Sequence, residues 1–499
     1  MSRIGAIKLV KSLSGAEKRY FKLYAKRQSV SRIYLDLFKI IGNAKGNDAA
    51  LMEAAFKKLH KHASIHNAAK YLVKILTDSL IQLKMGRDAS FQLFQGIMRA
   101  KILHERSLPG EGYAALQSLR ARAITFQHPV ITYLTYREEL NYLSGINFPA
   151  ITDKALVEIQ MKAKEVLREL GSIHDRHSLF ELLKYRLIHA RRISSKEQQE
   201  KLNDLVLSEM GLATSKPSKS FAAQKLHLLF QSFYFTNIGE YKPALKTFSS
   251  LNKLFEDNIT LLDNPPLDYF SALNGILDNL HVLGYYDQIP FYVSRVEQLD
   301  QPVYPPYFRN QVQKTAVIFQ SVLWIQAGRY RSVVDLINEK GKEWRTTYNL
   351  VNEEKQWELL FYLALSFYHL RDPGKAHKWI NQLLQNHASQ KNWVVCKAVR
   401  LLNIAIYYEQ GDSGYLEYEI KSYKRFFEKE HLLKSELLFF RYIRLKPAVK
   451  YLKKQPFKDI VDDMQLLQND RFEKQLLRYF DCIGWISDRM KGDKPGKKS

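Results

Sequence analysis

Three short groups of residues in this chain have side chains or backbone patterns that could do chemistry. The stretch Gly110-Glu-Gly-Tyr-Ala-Ala115 fits G-x-G-x-x-A. In that pattern glycines let backbone amides approach a pyrophosphate, provided a strand precedes the loop and a helix begins after it. The run before it, GIMRAKILHERSL, reads as helix, so a turn between helices accounts for the same letters. His60, His62 and His66 lie together in HKHASIH. His62 and His66 are four apart and could share a metal ion on one helical face. Lys57, Lys58 and Lys61 crowd them with positive charge, and no carboxylate or thiol adjoins, which favours polar surface histidines. Asn274, Asp278 and His281 fall at i, i+4 and i+7, opposite Leu273, Ile276, Leu277 and Leu280. They form a polar stripe that either faces a partner in a groove or is a solvated outer face. No phosphate-loop or nucleophile-elbow motif occurs.

A fourth group offers charge rather than catalysis. SGAEKRYFKLYAKRQ, residues 14–28, predicts a helix opened by a capping box between Ser14 and Glu17. On its wheel Lys18, Arg19, Lys22 and Lys26 fill one arc, and Tyr20, Phe21, Leu23 and Tyr24 fill the opposite one. Stacking on nucleobases needs bases and aromatics on one surface. The segregation therefore predicts aromatics in a core and a basic arc outside, able to meet phosphates without reading bases or simply to face solvent.

These residues need elements to hold them, and the composition indicates which kind. The chain has 499 residues, with 22 Gly and 15 Pro, a shortage of turn formers that favours long helices over many short strands. Net charge is +25, which predicts attraction to an anionic partner. Residues 1–90 hold 18 Lys or Arg against 6 Asp or Glu, so half of the surplus sits in the first fifth. The two cysteines, Cys396 and Cys482, lack metal-ligand spacing and read as buried thiols of a reducing cytoplasm. No apolar run reaches the ~18 residues of a membrane span, and the N-terminus lacks a signal-peptide core. A soluble cytoplasmic protein is expected.

Helical patterns at about 14–27, 30–42, 48–61 and 64–85 predict a basic all-helical module over 1–88. Further helical hairpins are expected over 89–210, with an amphipathic helix at 154–170 that ends near Gly171. PVITYLTY at 129–136 reads as strand-like but finds no hairpin partner. GLATSKPSKS at 211–220 reads as a linker, PVYPP at 302–306 as a break, and 488–499 as a disordered basic tail. Over 221–487 a pattern recurs. Phe235, Leu280, Trp324, Phe367 and Tyr407 are each followed four residues later by a turn position, namely Gly239, Gly284, Gly328, Arg371 and Gly411. A small or branched residue follows (Ala244, Ile289, Val333, Ala376, Leu416), then a bulky one four residues on (Phe248, Val293, Ile337, Ile380, Ile420). Such hairpins bury their faces only by stacking, so the pattern predicts an α-solenoid.

At these residues the chain resembles tetratricopeptide repeats, most closely in G-E-Y-K-P-A-L-K-T-F over 239–248, although the turn spacing of 45, 44, 43 and 40 departs from that family's 34. The resemblance implies protein or peptide binding in an inner groove and no chemistry. The run S-x-x-E-K-R-Y-F-K-L from Ser14 also resembles the start of bacterial helical-repeat proteins of no known activity. His174-Asp175 resembles the metal-binding doublet of HD-type phosphohydrolases. That family needs a further His and Asp, for which His128 and Asp204 could serve. The expectation is an all-α protein, a basic module followed by a TPR-like solenoid, acting as a non-enzymatic scaffold without cofactor or metal. RNA or ribosome binding through Lys18, Arg19, Lys22 and Lys26 is the alternative, and an HD-like hydrolase the third.

Overall fold

The computed structural model describes residues 3–28, 31–44, 49–149, 151–189, 196–215, 220–341, 344, 353–385, 393–427, 432–445, 455–468 and 470–492. Among them the fold is all-α, with no strand. Five helices come first: α1 (Arg3–Ser12), α2 (Gly15–Arg27), α3 (Arg32–Asn43), α4 (Ala49–Leu59) and α5 (Ile65–Met85). They share one core around Phe21, Leu37, Phe56 and Leu72, with Phe21 on Phe38 at 4.7 Å. The capping box of α2 is formed: the Glu17 amide donates to Ser14 Oγ at 3.2 Å, and the Ser14 amide to the Glu17 carboxylate at 2.7 Å.

A thinner array follows, with α6 (Ala89–Glu105), α7 (Pro109–Thr125), α8 (Pro129–Gly145), α9 (Asp153–His189), α10 (Lys196–Glu200) and α11 (Asn203–Ser215). The strand-like run at 129–136 is the start of α8. The helix expected to stop near Gly171 does not stop. That glycine is on an open face where an added Cβ would touch nothing, so no packing requirement breaks α9 there. The first half of the expected linker belongs to α11, and 216–219 lie outside the described residues.

Six hairpins then stack: α12 (Phe221–Asn237) with α13 (Tyr241–Asp257), α14 (Leu267–Leu283) with α15 (Ile289–Glu297), α16 (Pro306–Gln326) with α17 (Tyr330–Glu339), α18 (Glu353–His369) with α19 (Pro373–Leu384), α20 (Val394–Gln410) with α21 (Ser413–Phe427), and α22 (Lys434–Leu445) with α23 (Gln455–Gln468). First helices pack on first helices, α14 on α16, α16 on α18, and α18 on α20. Two last helices, α24 (Lys474–Leu477) and α25 (Cys482–Gly492), close the chain. Asp488–Gly492, expected to begin a disordered tail, complete α25, because buried Trp485 and Ile486 anchor that helix in the main core. Residues 493–499 lie outside the described residues.

The turns explain the repeat. Gly239, Gly284, Gly328, Arg371 and Gly411 all have φ between 61° and 82°, the left-handed region that reverses a helix. In each turn the residue after that position donates its amide to the carbonyl five residues back. The acceptors are Phe235, Leu280, Trp324, Phe367 and Tyr407, the large residues of the repeat. Ala244, Ile289, Val333 and Ala376 are fully buried at the hairpin crossings, whereas Leu416 is half-buried. The same turn recurs at Ser107, Gln127 and Asn147, where Leu108, His128 and Phe148 donate to Leu103, Ala123 and Leu143.

Candidate functional site: the inner face of the array

The first helices of the hairpins form a continuous face, and the chain's own C-terminal strap, residues 470–492, runs across it. The strap begins at the first hairpin. The Arg471 guanidinium pairs with Glu240 and donates to Gln199 Oε1 at 2.9 Å, and its carbonyl accepts from Tyr241 Oη at 3.3 Å. Gly239 makes this approach possible, since a Cβ there would stand 2.9 Å from the Arg471 carbonyl oxygen. Two residues later the Glu473 carboxylate accepts from the amides of Lys434 (3.0 Å) and Ser435 (3.3 Å) and from Ser435 Oγ (2.6 Å), at the start of α22. Two residues span at most ~7 Å, so the first and last hairpins lie close together and the array curves around the strap. The face it covers is the inner one.

The polar stripe read from the sequence lies under this strap. Asn274 donates to Asp278 Oδ2 at 3.0 Å, and Asp278 Oδ1 accepts from Arg478 Nη1 of the strap at 3.1 Å. Lys355 Nζ of α18 stands 3.7 Å from Asp278 and 2.8 Å from Glu358, and Arg478 is 4.0 Å from Glu358. The strap's Tyr479 hydroxyl donates to the same Glu358. Two carboxylates and two cations thus neutralise one another in a largely buried cluster, of which Asp278 and Arg478 keep some contact with solvent. Burial pushes the Asp278 carboxyl up, but Lys355 and Arg478 together outweigh it and leave the group below its ordinary value. Burial and then the Arg478 charge lower His281 to about 3, so its imidazole is neutral. Glu354, one turn before Glu358, is raised to about 7 by burial and then by the Glu358 charge. Lys355, Glu358, Arg478 and Tyr479 had no signal of their own in the sequence, because their partners lie up to 200 residues away.

Farther along, the strap's Arg489 stacks 3.8 Å over the Trp485 ring, donates to Tyr368 Oη at 2.8 Å and pairs with Glu409. Trp485 Nε1 also donates to Tyr368 Oη, at 3.0 Å. Between this anchor and Arg478 the strap leaves a cavity of about 770 Å³. Its walls include His281, Gln326, Tyr362, His369 and Arg371 from the hairpins, with Asp481 and Asp488 from the strap. Burial, followed by the charges of Arg371 and Arg489, lowers His369 to about 4. At neutral pH the walls therefore offer two uncharged imidazoles, tyrosine hydroxyls and both signs of charge, a lining suited to hydrogen-bonding a polypeptide.

The other sequence candidates are placed apart. The GEGYAA glycines sit in the first turns of α7, after a helix, and Gly112 serves packing: a Cβ there would meet the His104 ring at 2.2 Å. His60 Nε2 faces Asp36 at 3.3 Å, while His62 and His66 are exposed. His128 caps α8 through its Nδ1 and shares a cleft of about 1160 Å³ with Asp175. His174 lies on the exposed side of α9, and Asp204 is held bidentately by Arg186 at 2.6 and 2.7 Å. Among the described residues no three His, Cys, Asp or Glu side chains cluster as metal ligands. On α2, Arg19, Lys22 and Lys26 are exposed without an ion-pair partner among the described residues, and Lys18 is half-buried. Leu23, expected in the core, is 63% exposed, because α2 turns Phe21 and Ala25 inward instead. Cys396 and Cys482 are free and buried. No described helix is long and apolar enough to cross a membrane. Compared with protein-family models, with curated proteins and with solved structures, the chain matches none.

Proposed function

We propose that this chain is a non-enzymatic scaffold or adaptor of the cytoplasm, TPR-like in its hairpins, that holds a protein or peptide partner on the inner face of its array. One observation carries the reading. That face already holds a polypeptide, the strap, by side-chain clamps drawn from four of the hairpins at Glu240, Asp278, Glu358 and Glu409. Beside the strap it keeps a cavity large enough for several side chains of a second segment. The test is affinity purification from the native cell with nuclease present, using the wild type, Gln326→Trp to fill the cavity, and Arg371→Ala. The expected result is one partner retained by the wild type and lost on Gln326→Trp. Recovery that is equal with every variant overturns the reading.

A second reading rests on Arg19, Lys22 and Lys26 of α2, exposed and without an ion-pair partner among the described residues, which suit RNA or another polyanion. Phosphate contacts lose affinity steeply with salt, by a log–log slope of roughly −0.7 per neutralised phosphate on single strands. This reading predicts such a slope for the whole chain and its loss in a variant carrying Glu at all three positions. Salt-insensitive or unchanged binding rejects it.

A further inference from the structure

Large apolar side chains are not spread evenly over the surface. Of the 34 exposed among the described residues, 17 lie between Phe94 and Met210. On α6 they form a line at i, i+4 and i+8, with Phe94 50% exposed, Met98 48% and Ile102 55%. α6 lies beside α8. Lys101 reaches Glu138 at 3.0 Å, and His104 stacks on Tyr142 at 4.3 Å. These two contacts fix how both helices are rotated. With α7 beneath α6 on Leu93, Ile97 and Ala100, helical periodicity places Phe94, Met98 and Ile102 on the side of α6 toward α8. It also places Val130 and Leu134 on the side of α8 toward α6. The Lys101–Glu138 pair closes the floor between them. The result is an open channel with apolar walls over an ion-paired floor, and its rims are basic. Arg99 and Arg106 stand on the far shoulder of α6 and Arg137 on the far shoulder of α8, all exposed and without an ion-pair partner among the described residues. Glu105 is the acidic side chain at the channel's C-terminal end.

We infer that the α6–α8 channel is a second docking site, and that its occupant is an amphipathic helix from another protein with acidic residues flanking its apolar side. Phe94, Met98 and Ile102, at i, i+4 and i+8, make an apolar line about two turns long, against which a helix can lay anchors spaced i, i+3, i+4 and i+7. Three exposed arginines along the rims, without ion-pair partners among the described residues, select acidic flanks and disfavour a second copy of this basic chain. The inference is independent of the cavity beside the strap. Two separate faces are what an adaptor needs to hold two partners.

The test uses the full chain and a fluorescent designed helix carrying Leu at i, i+3, i+4 and i+7 between Glu-rich flanks, with a Lys-flanked version as comparison. Fluorescence anisotropy is expected to show saturable binding of the Glu-flanked helix that weakens with salt. The Lys-flanked helix should bind about tenfold more weakly or worse. Met98→Glu, a change at an exposed position, should cost about tenfold or more in affinity while leaving the circular dichroism spectrum unchanged. Arg99→Glu with Arg106→Glu should reverse the preference between the two helices. Gln326→Trp should leave it untouched. Several outcomes overturn the inference: no saturable binding, equal binding of both helices, or binding unaffected by Met98→Glu. Self-association that Met98→Glu abolishes would assign the channel to a second copy. Capture by anionic phospholipid vesicles in place of the helix would assign it to a lipid surface.

Discussion

Replacing Arg478 with Met should release the strap. Its guanidinium is the strap's contribution to a cluster of two carboxylates and two cations, 3.1 Å from Asp278 and 4.0 Å from Glu358, and it also donates to Tyr479 Oη at 2.8 Å. Removing it leaves Lys355 as the cation facing buried Glu358 and part-buried Asp278, so a neutral cluster acquires a net negative charge. Stripping one partner from a buried ion pair costs about 3–5 kcal/mol. At 1.4 kcal/mol per tenfold, that raises the open population of the strap roughly 10²- to 4 × 10³-fold. The two cysteines provide the assay. Cys482 lies in the strap and Cys396 in α20, both are buried, and burial raises both thiols, Cys396 to about 12. Thiol labelling therefore reports opening. Arg478→Met should accelerate labelling of Cys482 by that factor and leave Cys396 nearly unchanged. Adding Asp278→Asn, which restores neutrality, should recover a substantial part of the loss. Equal acceleration of both cysteines, or a double variant no slower to label than the single one, would refute the idea that these charges hold the strap.

Three further outcomes follow from particular residues. Gly239→Ala should also speed Cys482 labelling, because its Cβ would press on the Arg471 carbonyl as well as strain a backbone at φ 82°; Gly328→Ala, with nothing near its Cβ, should lower stability by about 1–2 kcal/mol without selective release. Ser107→Gly should stabilise the α6–α7 turn by about 1 kcal/mol, since Ser107 holds φ 58° against its own Cβ, seen as slower amide exchange in those helices. His281, with a pKa of about 3, stabilises the fold fully above pH 6.5 and loses that contribution as pH falls, by up to ~2 kcal/mol at pH 5; His369, lowered to about 4 but exposed to solvent, acts in the same direction and more weakly. Glu354, raised to about 7, has the opposite sign: it holds its proton in the folded chain first, so its penalty is complete above pH 7 and relieved as pH falls toward 4.5. Glu354→Gln should thus be more stable than the wild type at pH 8 and steeper in its acid loss by urea denaturation; a parallel pH profile would count against this sign.

The hairpins were readable because a glycine and a bulky residue four positions earlier mark a left-handed helix end; four such marks recur, and Arg371 keeps the spacing in a fifth. Three more turns were missed because Ser107, Gln127 and Asn147 adopt that conformation without being glycine. Their signal was a proline two residues on, at Pro109, Pro129 and Pro149; the first two open α7 and α8, as suits a helix start, and the third lies in the turn before α9. The polar stripe at Asn274, Asp278 and His281 was visible as periodicity. Its cover was not, because Arg478 pairs across 200 residues and looks from sequence like one more surplus positive charge. Leu23 shows the limit of a wheel drawn on one helix: composition suggested an apolar arc, while packing against α5 chose the side carrying Phe21 and Ala25.

The most direct test of partner binding on the inner face is site-specific photo-cross-linking in the native cell. A photoreactive phenylalanine analogue is placed at Gln326 in the cavity and, separately, at Arg331 on the outer helix α17. The predicted result is one discrete, nuclease-resistant protein adduct from position 326 and none from 331. No adduct from position 326, or the same adduct from both positions, would contradict it.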